Sequence, residues 1–345
     1  MTDRDAIRAY VDGFEPNARV HLGLLSNPLA RTNWQSVGHR QLREQLPDPS
    51  RALETGSLSD LDPAFERLLF AQRVNVLVLN GGDGTIHHAL NAAVRVTRRA
   101  AETVGHHVPL PLFLFVNGGG MNMLARVFGS RGHPVRTLRR FLRNLRGARF
   151  GTLPKRAVPL LAAREPDGFE RLGYIFGSEL VFNALTMYER FGQGYPALVR
   201  FLWEVATGYT LHTELWHKFG HLLEAPKTPL VIDDTRYAHY TSVVATTVPL
   251  QLVKGLVGTI RTTAYPTMMN AVAVLPTDQG QVIRLIPHLL RGAQADGIQY
   301  ARSVRRMVLH GAYTLDGERF DRHERDRAAP LEIVGTQHIV WGVVP

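Results

Sequence analysis

Six consecutive residues, Asn80-Gly81-Gly82-Asp83-Gly84-Thr85, join an apolar run at 74–80 (VNVLVLN) to a helical pattern that begins at Ile86 and fades near Arg98. Three glycines let the backbone approach a phosphate closely and adopt φ > 0. Their N–H groups, together with the N-terminus of the following helix, form an anion site. Asp83 cannot favour a phosphate directly. It acts either through Mg²⁺ or by accepting backbone N–H bonds that fix the loop. The spacing is neither the dinucleotide fingerprint nor the P-loop, because no lysine follows the glycines. A ligand-free strand-to-helix turn is the alternative, but such a turn seldom needs three glycines and an aspartate.

A second glycine-rich turn, Asn117-Gly118-Gly119-Gly120-Met121-Asn122, follows another apolar run at 111–117 (PLFLFVN). Alone it reads equally well as a flexible turn. Two such turns at strand C-termini of one parallel sheet face the same crevice, which is where α/β sheets bind ligands. The third element is Tyr313-Thr314-Leu315-Asp316-Gly317-Glu318. Phosphoryl transfer to an alcohol is helped by a carboxylate that accepts the hydroxyl proton; Asp316 could be that base, with Glu318 orienting it. The competing reading is an ordinary Asp-Gly hairpin turn, and by base rate it is favoured on this motif alone.

The elements that must position these residues alternate strand and helix in the first part of the chain. Strands at 21–26, 74–80 and 111–117 alternate with helical patterns at 40–46, 86–98 and 121–128, which indicates a parallel sheet with covered faces. An amphipathic helix at 135–146 sets Leu138, Phe141, Leu142 and Leu145 on one face and spreads Arg136, Arg139, Arg140, Arg143 and Arg146 around the rest. It reads either as a packing helix with solvated arginines or as a helix lying on anionic lipid, and its narrow apolar stripe favours the former. Beyond Arg149 the texture turns β-rich, broken by a helical stretch near 195–207. The expected domains are residues 1–149, a nucleotide-binding α/β domain, and 150–345, a β-rich substrate domain whose last segment can pack back on the first.

The 345 residues fit two domains and are 45% hydrophobic, enough for a sizeable core. With no cysteine there is neither a disulfide framework nor a thiolate metal site. No 18-residue apolar run appears, and the charged N-terminus has no signal-peptide core, so a cytoplasmic protein is expected. The formal net charge of +10 suggests an anionic partner or a solvated basic surface. Basic residues interleaved with exposed aromatics are absent, which argues against nucleic acid. His87-His88 and His106-His107 lack a metal-like partner set.

The order of Asn27-Pro28, the 81–85 loop, the 118–122 loop with Ala125-Arg126, and Asp316-Gly317-Glu318 resembles the diacylglycerol kinase catalytic-domain family, with its bacterial diacylglycerol, sphingosine and ceramide kinases. The resemblance covers about residues 20–345. It implies a phosphofructokinase- and NAD-kinase-like nucleotide-binding α/β domain followed by a β-rich, sandwich-like lipid-binding domain. It implies an active site in a cleft between them, and ATP with Mg²⁺ as cofactors. By motif, Asn27 and Gly81, Gly82, Asp83, Gly84 and Thr85 would contact nucleotide, as would Gly118, Gly119, Gly120 and Asn122. Asp316 would accept the proton. The NAD kinases share the GGDGT loop but carry a later Asn-Glu pair, which this sequence lacks.

The second loop of the family usually carries a Thr and an acidic residue where this chain has Gly120 and Met123. After Asn27-Pro28, where many members have a Ser-Gly turn, Arg31 could contact phosphate instead. The expected activity is ATP-dependent phosphorylation of a lipid alcohol, by a cytoplasmic protein peripheral at an anionic membrane face. The alternatives are a kinase of a soluble alcohol and a non-catalytic nucleotide- or lipid-binding regulator. The lipid itself is not readable from the sequence.

Overall fold

The computed structural model describes residues 3–30, 33, 38–119, 122–192, 195–250, 260, 262–322 and 328–345. The chain divides into two compact units, Met1–Ala157 with Val340–Pro345, and Val158–Ile339.

The first unit runs α1 (Asp3–Val11), β1 (Leu22–Ser26), α2 (Gly38–Gln45), β2 (Ala52–Glu54), α3 (Leu61–Glu66), β3 (Val76–Gly81), α4 (Asp83–Val104), β4 (Leu112–Asn117), α5 (Met123–Val127) and α6 (Pro134–Asn144). Its sheet has the order β2-β1-β3-β4 and is parallel. Gly342, near the chain's end, pairs in parallel with Phe113 of β4. Every residue of β3 is buried, which is why its run is unbroken rather than alternating. The apolar face of α6, through Val135, Leu138 and Phe141, packs into one core with Leu24, Val78 and Leu114. Its arginines are exposed. Phe150 and Gly151 donate N–H bonds to Ala18 (3.0 Å) and Pro16 (2.9 Å), which ties the chain just beyond Arg149 to this unit. The N-terminus, read from sequence only as a charged segment, forms a helix that buries Ile7 and Tyr10.

The second unit starts within β5 (Lys155–Arg164) and continues through β6 (Glu170–Gly173), β7 (Ile175–Gly177), α7 (Glu179–Tyr188), α8 (Tyr195–Leu211) and α9 (Glu214–Phe219). Then follow β8 (Leu230–Ile232), β9 (Thr235–Tyr237), β10 (Ser242–Thr246), β11 (Met269–Val274), α10 (Gln279–Arg291), β12 (Ile298–Val304), β13 (Arg306–Leu309), β14 (Tyr313–Leu315) and β15 (Glu318–Phe320), and β16 (Leu331–Val343) runs back into the first unit. One sheet, β12-β11-β10-β7-β14-β15, is antiparallel. Its Met269, Ala271 and Ala273 share a core with Leu230, Met307 and Ile333 of the other strands. The alternate residues Val272 and Val274 pack with Leu285 of α10 instead. This sheet is therefore covered by strands on one face and by helix on the other. The unit is β-rich as expected, but α7, α9 and α10 were not anticipated. The helix of α7 is short and mostly apolar, with only Glu179, Asn183 and Thr186 along one polar side, and α10 contains Pro287, a residue that argues against a helix in sequence. Among the described residues no helix is long and apolar enough to cross a membrane.

Candidate functional site

The chain leaves β3 at Gly81, and α4 begins at Asp83, three residues before the periodicity suggested. Asp83, Gly84 and Thr85 are thus the first turn of a 22-residue helix capped by Gly105 at φ 79°. First-turn N–H groups have no acceptor within their own helix. They point along the positive end of the helix dipole, which suits an anion. Gly82 to Thr85 are only half-buried, so this end is open to a ligand.

Parallel pairing sets Gly81 opposite Asn117 and brings the two glycine turns side by side. The Gly118 N–H donates to the Gly81 carbonyl at 3.1 Å. A Cβ on Gly118 would lie 2.7 Å from the Gly81 nitrogen, and one on Gly119 would strike the Gly82 Cα. Gly118 and Gly119 are therefore needed for the loops to touch. Gly82 differs: a Cβ there would meet only the Gly119 Cα, at 3.4 Å.

Asp83 joins the loops. Its Oδ2 accepts from Met123 N–H (3.1 Å) and its Oδ1 from Leu124 N–H (3.0 Å), at the start of α5. Both oxygens thus serve backbone donors, which fixes the loop. No group of three His, Asp or Glu side chains suited to a cation occurs among the described residues. Asn122 sits at φ 51° and closes its own turn, with Oδ1 accepting from Gly119 N–H (2.8 Å) and Nδ2 donating to the Gly119 carbonyl (2.7 Å).

Asn27 does not aim its amide outward. It donates to Thr85 Oγ1 at 2.9 Å and accepts from Leu29 N–H at 2.9 Å, so it orients Thr85. Beneath it the fully buried Asn80 donates to Ser26 Oγ (2.8 Å) and to Asn33 Oδ1 (3.1 Å). Asn33 donates in turn to the Asn27 carbonyl at 2.7 Å. The amide oxygens of Asn80 and Asn117 are buried with no hydrogen-bond partner among the described residues. This asparagine network escaped the sequence reading. Its signal was the repeated Asn-Gly-Gly at the ends of two adjacent strands. Arg31 and Gly120 lie outside the described residues.

Asp316 and Glu318 belong to the second unit. Asp316 (φ 55°) and Gly317 (φ 89°) form the two-residue turn between β14 and β15. Both central residues have φ > 0, the geometry of a tight hairpin turn. Asp316 is 3% exposed. Its Oδ1 accepts from Tyr174 N–H (2.9 Å) and Ile175 N–H (3.0 Å), and its own N–H donates to the Ile175 carbonyl (2.8 Å). Burial, and secondarily the Asp316 charge, push the Tyr174 phenol well above its ordinary value. Glu318 opens β15, half-buried opposite Leu315.

The second unit also holds an apolar cavity of about 210 Å³. Phe201, Val205, Trp216, Leu223, Val272 and Ile286 are among its walls, drawn from α8, α9, α10 and β11 and the chain between. Almost nothing polar faces it, so it suits hydrocarbon rather than a sugar or a nucleotide.

Residues 21–152 match the family model described as the diacylglycerol kinase catalytic domain. No curated protein matches the chain. Two solved structures of a "putative diacylglycerol kinase" from Bacillus anthracis str. Sterne share its fold. One has a TM-score of 0.61 at 15% identity, over 93% of this chain and 96% of that one; the other has 0.62 at 15%, over 94% and 97%. A third structure from that organism, described as a diacylglycerol kinase, gives 0.55 at 13% identity over 93% and 96%. The segment carrying both glycine turns is thus the part of the chain that matches the model of a kinase catalytic domain.

Proposed function

We propose that the chain transfers the γ-phosphoryl group of ATP to the hydroxyl of a lipid alcohol of the diacylglycerol, sphingoid-base or ceramide kind. The observation that carries this reading is the open N-terminus of α4 between two interlocked glycine turns, inside a segment of a lipid-kinase family. The first-turn N–H groups and Gly82 would receive the phosphates. Asn27 would act through Thr85, while Asp83, Gly118, Gly119 and Asn122 would hold the cradle in shape. Mg²⁺ enters as part of Mg-ATP, where it neutralises phosphate charge; in this reading Asp83 serves the Met123 and Leu124 N–H groups. Asp316 would accept the hydroxyl proton, with Glu318 orienting it. The apolar cavity of the second unit supports an acyl or sphingoid chain as the rest of the substrate.

This reading takes the first unit as a phosphofructokinase- and NAD-kinase-like nucleotide domain. The protein would work from the cytoplasm as a peripheral protein at an anionic membrane face, without nucleic acid. The second reading, a nucleotide- or lipid-binding regulator, is favoured by one feature: the turn geometry and N–H bonds of Asp316 would be the same in a purely structural hairpin. Incubating the protein with radiolabelled ATP and a total lipid extract separates the two. A labelled lipid, identified by its mobility and mass, supports the kinase; ATP binding with no labelled product supports the regulator and overturns the kinase.

A further inference from the structure

Helix α8 has two apolar sides. One is inward: Phe201 and Val205 are each 7% exposed and wall the cavity. The other is outward: Val199 is 58% exposed, Trp203 72% and Leu211 72%. Spacings of four and eight residues keep these three on one broad side of the helix. Arg200 is exposed beside them, and Arg190, His212, His217 and Lys218 are exposed on the flanking segments. Of the nearby carboxylates, Glu189 pairs with Arg319 at 3.0 Å and Glu204 accepts from the Thr213 hydroxyl at 2.7 Å. Glu214 lies in the first turn of α9.

We infer that this outward side of α8 docks on an anionic lipid bilayer, with Trp203 and Leu211 entering the headgroup–acyl boundary. The inference rests on the lipid-kinase reading above and names the surface through which that reading is served. Three observations choose the occupant. First, three large side chains make a strip of at most a few hundred Å², while a stable protein–protein interface needs about 800 Å² per partner. A second copy of the chain is therefore poorly served by it. Second, an exposed Trp among aliphatic residues with cations at the margin is the composition of an interfacial helix. The chain's net charge of +10 complements an anionic surface. Third, the same helix walls the apolar cavity, so a lipid leaving the bilayer beside α8 meets hydrocarbon-like surface rather than water. The arginine helix α6 is a weaker candidate, because its apolar face is already buried in the first unit's core.

The test uses the full chain and vesicles of phosphatidylcholine alone or mixed with phosphatidylserine, without ATP and without a hydroxyl-bearing acceptor lipid. Trp203→Glu with Leu211→Glu should lower partitioning onto the mixed vesicles by about tenfold or more, since interfacial binding scales with buried apolar area. Both positions are exposed, so the melting temperature should stay near the parent's. Unchanged partitioning in the folded double variant overturns the inference. A concentration-dependent dimer that the double variant abolishes while vesicle binding persists overturns it too, in favour of a second copy. A parallel assay with a monomeric short-chain diacylglycerol and ATP keeps the kinase reading separate. Parent and double variant should phosphorylate this acceptor equally. If neither does, yet the double variant still loses vesicle binding, the docking surface stands and only the kinase reading falls.

Discussion

Asp83 and Asp316 each stand beside a glycine, and each gives its carboxylate to two successive backbone N–H groups. The two places otherwise differ. Asp83 is half-buried in the first turn of a long helix, and it uses both oxygens to draw a second loop against the first. Asp316 is deeply buried at φ 55° in a hairpin turn, and it uses one oxygen for both donors. The lesson is that a carboxylate beside a glycine is not by itself a site. What separates the two is what each one fixes: a helix start against a second loop, or a hairpin turn against the chain entering β7.

The largest effect should come from breaking Asp316. Asp316→Asn keeps the size, the left-handed preference and an acceptor for the two N–H groups, because asparagine tolerates φ > 0. It cannot take a proton. Turnover on a lipid acceptor should fall about 10²–10⁴-fold with Mg-ATP affinity nearly unchanged. Glu318→Gln should cost less. A folded Asp316→Asn protein at the parental rate would make Asp316 a turn residue and nothing more.

Next in size is the clamp. Asp83→Ala leaves the Met123 and Leu124 N–H groups without their acceptor, at a cost of about 1–3 kcal/mol for each group that stays dry. Stability and nucleotide affinity should fall together. Asp83→Asn can satisfy only one of the two donors with oxygen, so it should fall between the parent and the alanine variant. Chemical denaturation beside calorimetric titration with Mg-ATP checks this. Affinity lost with stability untouched would instead mean that Asp83 touches the nucleotide or its ion.

The glycines sharpen the comparison further. Gly119→Ala drives a methyl group into the Gly82 backbone and should destabilise the fold by about 1–3 kcal/mol, the usual cost of overpacking. Gly82→Ala meets only an ordinary contact at 3.4 Å. It should fold with near-parental stability and still lose affinity for Mg-ATP, because the methyl group occupies the phosphate approach. A Gly82→Ala protein that binds Mg-ATP as the parent does would move the phosphate elsewhere.

Much of this was legible from the residues. The unbroken runs at 74–80 and 111–117 pointed to two covered strands, which the structure places at Val76–Gly81 and Leu112–Asn117, and the glycines after them pointed to the turns. Other parts were hidden for physical reasons. The start of α4 at Asp83 was obscured because glycines at a helix N-terminus read as loop. The interlock of the loops depends on strand register, which a sequence does not print. Asn80 looked like the last residue of a strand, and its network with Ser26 and Asn33 joins positions far apart in the chain. The helices over the second sheet were missed because residues such as Val272 and Val274 are buried beneath them, leaving no alternation to reveal a covered face. The cavity exists only where those helices meet the sheet.

The smallest expected effect concerns His310, near the hairpin in sequence. Its ring Nδ1 is buried with no hydrogen-bond partner among the described residues. Burial first, and the Arg322 guanidinium second, hold its imidazole below the ordinary value. The folded state therefore binds a proton less readily than the unfolded chain. Between the lowered folded value and the unfolded value of about 6.5, the unfolded state carries more protons, so stability rises with pH in that window. The contribution is fully present above the unfolded value and is lost as pH falls towards the folded one. His21 is lowered too, again mainly by burial, and contributes in the same direction. Replacing His310 with Asn should remove one share of this dependence. Denaturation measured at about pH 7 and about pH 5 should show a shallower loss on acidification in the variant than in the parent. An equal loss in both would mean that His310 titrates alike in the folded and unfolded chains, and that the buried ring is relieved by a partner the protonated form can use.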